Sequence, residues 1–192
     1  MKIGVLALQG AFESHLHIIN TLGVEAIEIR DAKSLDSVAG LIIPGGESTA
    51  ISMLLESNDL RKPLIERLFD DMPVFGTCAG MIMLSKRIID GREDQVPLGA
   101  IDITVRRNAF GRQVDSFEAE LEVNGFDSKF PAIFIRAPIV ESVAEDVNVL
   151  SKVDDQIVLC SNKTTLVASF HPELSSDLRI HELFLSMAIC DP

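Results

Sequence analysis

The sequence predicts an α/β protein built on a doubly wound, mostly parallel sheet, with antiparallel additions in its second half. Three observations predict it. Short continuous apolar runs in the first half fit strands buried on both faces. Helical-period patterns separate those runs, which is the alternation of a parallel sheet. Sequences rich in glycine or proline close the runs, where loops must leave the sheet.

Taken in order, Ile3 to Leu8 is a first strand; Phe12, Leu16 and Ile19 follow at helical spacing, and Gly23 ends that helix. Val24 to Ile29 alternates as a second strand. Gly40 to Ile43 is a third, closed by Pro44-Gly45-Gly46, and Ser48 to Leu55 is the next helix. Leu60 to Phe69 gives another helix before the strand Val74-Phe75-Gly76, which runs through Cys78 into an apolar helical pattern. Beyond residue 98 the texture changes. Ile101 to Val105, Glu118 to Val123, Ala132 to Arg136, Val147 to Val153, Gln156 to Cys160 and Leu166 to Phe170 are strand-like, as antiparallel additions or a small second sheet. Ser176 to Ile189 is a closing amphipathic helix. No repeat, low-complexity tract or linker interrupts the 192 residues, so one domain over 1–192 is expected.

Composition narrows the function. With 17 basic against 29 acidic residues, a net charge of −12, the chain repels phosphate backbones, which argues against nucleic acid as a partner. No apolar run approaches the roughly 20 residues of a membrane span. The opening MKIGVLALQG lacks a small-residue cleavage site and is better a strand than a signal peptide. Three cysteines at irregular spacing make no disulfide framework and point to the cytosol. No metal-ligand spacing occurs; His15 and His17 are two apart, on different faces of a helix. Neither a metal nor a cofactor is expected.

Three unusual sequences sit at predicted strand ends: PGGEST at 44–49, GTCAG at 76–80 and FHPE at 170–173. In open α/β sheets that is the edge at which ligands bind. Gly-x-Cys-x-Gly reads as a nucleophile elbow, a sharp strand-to-helix turn in which flanking glycines leave room for a strained residue. The start of the following helix places backbone N–H groups beside Cys78, a setting suited to a negatively charged sulfur. Cys160 and Cys190 have the default reading of buried or terminal cysteines. A thiol nucleophile needs a base, and the base an orienting group. His15, His17 and His181 fall in helical patterns and are expected at the surface or boundary. His171 alone follows a strand run; Pro172 holds it extended, so that Glu173, two residues on, faces the same way and orients its imidazole. Gly46 in the Pro44-Gly45-Gly46 turn and Ala79 are the candidate oxyanion N–H donors. A phosphate loop is the rival reading of the turn, and it lacks the Gly-Lys-Ser/Thr that would follow.

At these residues the sequence resembles the class I, triad-type glutamine amidotransferases, marked by the Gly-x-Cys-x-Gly elbow and a distant His-Pro-Glu. Within that class it is most similar to the glutaminase subunits of pyridoxal 5′-phosphate synthases. The carrying blocks are GVLALQG at 4–10, LIIPGGEST at 41–49, FGTCAG at 75–80, RNAFGRQVDSFE at 107–118, FIRAP at 134–138 and SFHPE at 169–173. The resemblance implies a flavodoxin-like fold and a glutaminase in which Cys78 attacks the side-chain amide of glutamine. His171 would act as base then acid, and Glu173 as its orienter. It implies glutamine binding by Gly46, Glu47, Ser48, Arg107, Ile135 and Arg136. It further implies a separate synthase subunit, one per glutaminase in a large hetero-oligomer, that uses the ammonia with ribose 5-phosphate and glyceraldehyde 3-phosphate. Two alternatives stay open at this point: a stand-alone cysteine hydrolase of similar architecture, and a scaffold that only docks to the synthase.

Overall fold

The structure, a computed structural model, describes residues 1–92, 94–107 and 116–189. The central part of the RNAFGRQVDSFE block and Cys190 lie outside the described residues. In chain order the first half forms β1 (Lys2–Leu6), α1 (Phe12–Thr21), β2 (Glu25–Ile29), α2 (Ala32–Leu35) and β3 (Gly40–Ile43). Then come α3 (Ser48–Ser57), α4 (Arg61–Phe69), β4 (Val74–Thr77), α5 (Ala79–Leu84) and β5 (Ser85–Ile89). The second half forms β6 (Ile101–Arg106), β7 (Ser116–Leu121), β8 (Phe130–Ile135), β9 (Ile139–Val143) and β10 (Asn148–Val153). It closes with β11 (Gln156–Ser161), β12 (Thr165–Ala168), a 3-10 turn at Pro172–Leu174 and α6 (Arg179–Ile189).

One sheet runs β2-β1-β3-β4-β12-β11-β9-β6-β5, with β10 paired to β11. The five strands from β2 to β12 are mutually parallel. From β11 onward the pairings are antiparallel except that of β5 with β6. The small second sheet is the antiparallel pair β7–β8. The mostly parallel sheet with later antiparallel additions is therefore the architecture, with one change: the Leu166–Phe170 run supplies a parallel strand at the centre. β12 pairs with β4 in the register Leu166 opposite Phe75 and Ala168 opposite Thr77. That pairing brings the chain following β12 to the elbow.

Every residue of β3, β4 and β12 is buried, as strands covered on both faces require. On one face Leu35, Ile51, Leu55, Leu64, Met81 and Met83 pack from α2 to α5. On the other, Ile19 of α1, Ile180 and Phe184 of α6, and Phe130 and Phe134 of β8 share one apolar cluster with Phe75. Burying side chains of this size contributes on the order of 1.5–3 kcal/mol each. The C-terminal ends of β1, β3, β4 and β12 lie side by side, so the loops beginning at Ala7, Pro44, Cys78 and Ser169 emerge at one edge. Among the described residues no helix is long and apolar enough to cross a membrane, and no cluster of ligating side chains could hold a metal ion.

Candidate active site

Cys78 is the residue between β4 and α5, at φ +48° and ψ −100°. Outside glycine that conformation is strained, and such strain concentrates at functional sites. Three close approaches hold it. The Cys78 N–H donates to the Ala168 carbonyl of β12 at 2.8 Å. A Cβ on Gly76 would lie 2.6 Å from the Gly80 carbonyl carbon, and one on Gly80 only 2.0 Å from the Ile43 carbonyl oxygen. The two glycines of the motif thus let strand, elbow and neighbouring strand pack at backbone distance.

His171 follows β12 and is anchored by its N–H, which donates to the Ile133 carbonyl of β8 at 2.8 Å. Its Nδ1 lies 2.7 Å from Glu173 Oε1. The expected pairing is present, but not by the expected route. Pro172–Leu174 turns as a 3-10 helix, so Glu173 reaches the imidazole from a tight turn instead of an extended segment. The other side of the ring faces Cys78. Burial alone would push the His171 imidazole down; hydrogen bonds to Cys78 and to Glu173, with the charge of each, outweigh it and raise it to about 10. Burial would raise the Glu173 carboxyl, but His171 and His15 beside it hold it below its ordinary value. Cys78, His171 and Glu173 are all buried.

A cleft of about 370 Å³ is lined by Gln9, Gly46, Glu47, Ser48, Cys78, Ile82, Arg107, Ile135, Arg136 and His171. Every sequence-predicted site residue lines it except Glu173, which stands behind His171, and Ala79, the first residue of α5. Glu47 caps α3, accepting from the Thr49 and Ala50 N–H groups at 3.0 and 2.6 Å. Although partial burial works the other way, those N–H groups and Arg107 hold its carboxyl below the usual range. Arg107 Nη2 is 3.2 Å from Glu47 Oε1, and its Nη1 donates to Gln95 Oε1 at 3.0 Å. The Ser48 hydroxyl is buried and has no hydrogen-bond partner among the described residues. Arg136, at φ +43°, ends β8 so that the Ile135 carbonyl oxygen sits 4.0 Å from Cys78 Sγ.

The turn Pro44-Gly45-Gly46 is tied to the loop after β1. The Gly45 carbonyl accepts the Ala11 N–H at 3.1 Å, and the Glu47 N–H donates to Gln9 Oε1 at 2.9 Å. In a trans peptide the N–H and C=O point oppositely, so the Gly46 N–H is directed away from Ala11.

Sequence reasoning missed four residues around the site. Gln95, outside every block quoted above, orients Arg107, and Thr77 stands behind the elbow. His15 and His181, expected at the surface or boundary, are fully buried. Their helices place them on the inner face: His15 is three residues after Phe12 and four before Ile19, and His181 three before Phe184. That spacing was the available signal. His17, by contrast, is exposed, two residues round the same helix.

A doubly wound sheet with a strained cysteine at a strand–helix elbow and a His–Glu pair at the neighbouring strand end is the arrangement of the class I glutamine amidotransferases. The family profile described as SNO glutamine amidotransferase matches residues 5–190, and the chain belongs to that family. It is 54% identical over 190 residues to "Pyridoxal 5'-phosphate synthase subunit PdxT" of Dehalococcoides mccartyi, covering 98% of this chain and 97% of that one. It is 51% identical over 187 residues to the protein of the same name from Thermosipho africanus, covering 97% and 98%. A solved structure described as a glutamine amidotransferase superposes with a TM-score of 0.92 at 44% identity, covering 97% and 98%. PurLQS from Thermotoga maritima, at 16% identity and a TM-score of 0.67, shares the fold.

Proposed function

We propose that this chain is the glutaminase subunit of a pyridoxal 5′-phosphate synthase: it hydrolyses L-glutamine to L-glutamate and ammonia and passes the ammonia to a separate synthase subunit. The observation that carries the reading is the placement of Cys78 and the His171–Glu173 pair against a cleft that also holds Arg107 and Ser48. The name of the relatives, a synthase subunit, supports the partner.

In this reading the Cys78 sulfur attacks the side-chain amide carbon of glutamine. His171, which has taken the Cys78 proton and stands as imidazolium, gives that proton to the departing nitrogen, and ammonia leaves a thioester. His171 then takes a proton from water, whose oxygen attacks the thioester carbon, and returns that proton to the Cys78 sulfur as the C–S bond breaks, so that glutamate and the thiol are released. The Gly46 and Ala79 N–H groups bind the oxyanion in both steps. Arg107 takes the α-carboxylate of glutamine, since its fork matches a carboxylate. Glu47 faces the ammonium, Ser48 supplies a hydroxyl, and Ile135 and Arg136 close the pocket. The synthase combines the ammonia with ribose 5-phosphate and glyceraldehyde 3-phosphate. One glutaminase docks per synthase subunit in the cytoplasm, within a large hetero-oligomer, and the 1–192 chain is a single domain. Neither metal, cofactor nor nucleic acid enters this chemistry.

Adjacent glycines make two orientations of the Gly45–Gly46 peptide accessible. Docking of the synthase selects the one whose N–H faces the oxyanion, and the Gln9 loop, bonded to that turn, relays the contact. A tenfold gain needs only about 1.4 kcal/mol of differential stabilisation. The test is glutamate release from glutamine, with and without the synthase. Weak activity alone and at least a tenfold rise in complex are expected. Equal rates refute the gating; no glutamate in the complex refutes the glutaminase reading.

A further inference from the structure

Behind the His171–Glu173 pair, away from the cleft, lies a buried polar chain that the reaction above does not use. His15 Nε2 of α1 is 3.5 Å from Glu173 Oε2, the oxygen that His171 leaves free. The same nitrogen is 3.3 Å from Thr77 Oγ1 of β4. His15 Nδ1 is 3.0 Å from His181 Nε2 of α6. The side chains of His15 and Glu173 have no solvent exposure, and His181 is equally buried. Phe75 meets both imidazoles edge-on, at 6.3 and 5.7 Å. The arrangement draws on two helices, one strand and the 3-10 turn.

We propose that His15 is a positioning residue of the glutaminase reaction: its Nε2–H holds the second oxygen of Glu173, and His181 fixes the tautomer in which it does so. The inference rests on the reading of Glu173 as orienter of His171.

The tautomers follow from hydrogen-bond accounting. His181 Nδ1 is buried without a partner among the described residues. A bare ring nitrogen there costs less than an N–H with no acceptor. His181 therefore carries its proton on Nε2 and donates it to His15 Nδ1. With Nδ1 accepting, neutral His15 has its proton on Nε2, facing Glu173 Oε2 and Thr77. The opposite assignment sets a ring lone pair beside a carboxylate, offset only by the Thr77 hydroxyl at 3.3 Å, and it leaves the His181 Nδ1–H unpaired in the core. A charged His15 fails in the same way at His181, because both its nitrogens would donate. Burial, against the attraction of Glu173 and with the repulsion of His171, holds His15 below the ordinary imidazole value; burial also takes His181 to about 3.

At 3.5 Å the His15–Glu173 contact falls outside hydrogen-bond geometry, and Glu173 Oε2 has no hydrogen-bond partner among the described residues, but the distance is close for an N–H dipole facing a buried charge. Contacts of this kind tighten when charge develops on the reacting groups. Here that moment is the protonation of His171, when Glu173 must keep Oε1 on the imidazole. Once the contact tightens, a carboxylate engaged at both oxygens rotates away less readily. His15 thus acts on the rate of the chemical step and not on glutamine binding. The titratable groups facing it are Glu173, His171 and His181, with Cys78 beyond His171. Loss of the Nε2–H lets the Glu173 carboxyl rise towards its ordinary value, so the acid limb of kcat/KM moves to higher pH.

The experiment has two arms. Imidazole 15N shifts of the intact chain report tautomers without any variant, and Nε2–H forms are expected for both His15 and His181 at neutral pH. A dominant Nδ1–H form of His15 overturns the proposal. In the complex with synthase, His15→Leu is expected to lower kcat about tenfold or more with KM within about threefold, and to shift the acid limb upward. His15→Gln, which keeps an N–H near the Nε2 position, recovers most of kcat. A folded His15→Leu with the parental kcat and pH profile also overturns the proposal. Should His15→Leu fail to fold, His181→Phe decides: a mixed His15 tautomer with reduced kcat is expected, and an unchanged tautomer and kcat refute it. Cys78→Ala run alongside tests the triad separately, since activity there sinks the glutaminase chemistry while leaving the tautomer result standing.

Discussion

Cys78 lines the cleft beside His171, whereas Cys160 is fully buried in β11, where burial pushes its thiol up to about 12. A glutamine-analogue electrophile is accordingly expected to label Cys78 and leave Cys160 untouched, as peptide mapping will read. Cys78→Ala loses nearly all glutamate release, while Cys160→Ala keeps most of it; labelling at Cys160 would overturn the assignment of the nucleophile. His171→Ala should be almost as damaging as loss of Cys78, because residues that act as a unit are not additive. Glu173→Ala should leave more activity, since the imidazole still samples the productive tautomer; small and equal losses at both positions would place the triad elsewhere. These three candidates stand out in the sequence because each breaks a local rule: a cysteine between glycines, a histidine and a glutamate around a proline. Arg107 was legible only by resemblance, its ion pair with Glu47 joining residues 60 apart in sequence. His15 and His181 hid because a neutral, hydrogen-bonded imidazole occupies a core position that periodicity assigns to apolar side chains.

At the scale of elements, the elbow is a three-strand construction. Gly80 of α5 touches β3 so closely that an added methyl would meet the Ile43 carbonyl, a backbone atom inside a paired strand. Overpacking of this kind costs typically 1–3 kcal/mol. Gly80→Ala is therefore expected to lower Tm by several degrees and to reduce activity by moving Cys78; a melt and rate equal to the parent would show that the strands give way freely. The parallel half of the sheet could be read from its apolar runs, since strands buried on both faces have little choice of composition. The rest was less legible. β5 starts with Ser85, Lys86 and Arg87 directly after an apolar helix, and β9 contains Glu141 and Ser142; both owe their strand state to pairing with β6. β12 looked like one more antiparallel strand because direction is set by the partner, β4, and not by the run itself. The short helix α2 comes from the capping box of Asp31 and Ser34, a signal of two residues.

For the whole molecule, two neutral histidines in the core set its response to acid. His15 and His181 both titrate below the ordinary imidazole value of 6.5, His181 at about 3. Unfolded, they take up protons below pH 6.5; folded, they refuse them. Their contribution is thus complete above pH 6.5 and lost as pH falls below it, for His181 down to about pH 3, at up to about 1.4 kcal/mol per pH unit for each group still neutral. Glu173, depressed from 4.5, adds to the same loss at the lower end of that window. Denaturant midpoints should fall steeply from pH 7 to pH 5, and less steeply in His181→Phe; a flat profile would mean that the pair is solvated. The backbone of Cys78 has a consequence of another kind. A non-glycine residue at φ +48° and ψ −100° costs about 1–3 kcal/mol, while glycine is at home there and gives back roughly 0.5–1 kcal/mol through its freer unfolded chain. Cys78→Gly should then melt roughly 2–4 °C above Cys78→Ala, and a lower melt would show the elbow to be relaxed. If it holds, stability and the proposed chemistry pull in opposite directions at this one residue.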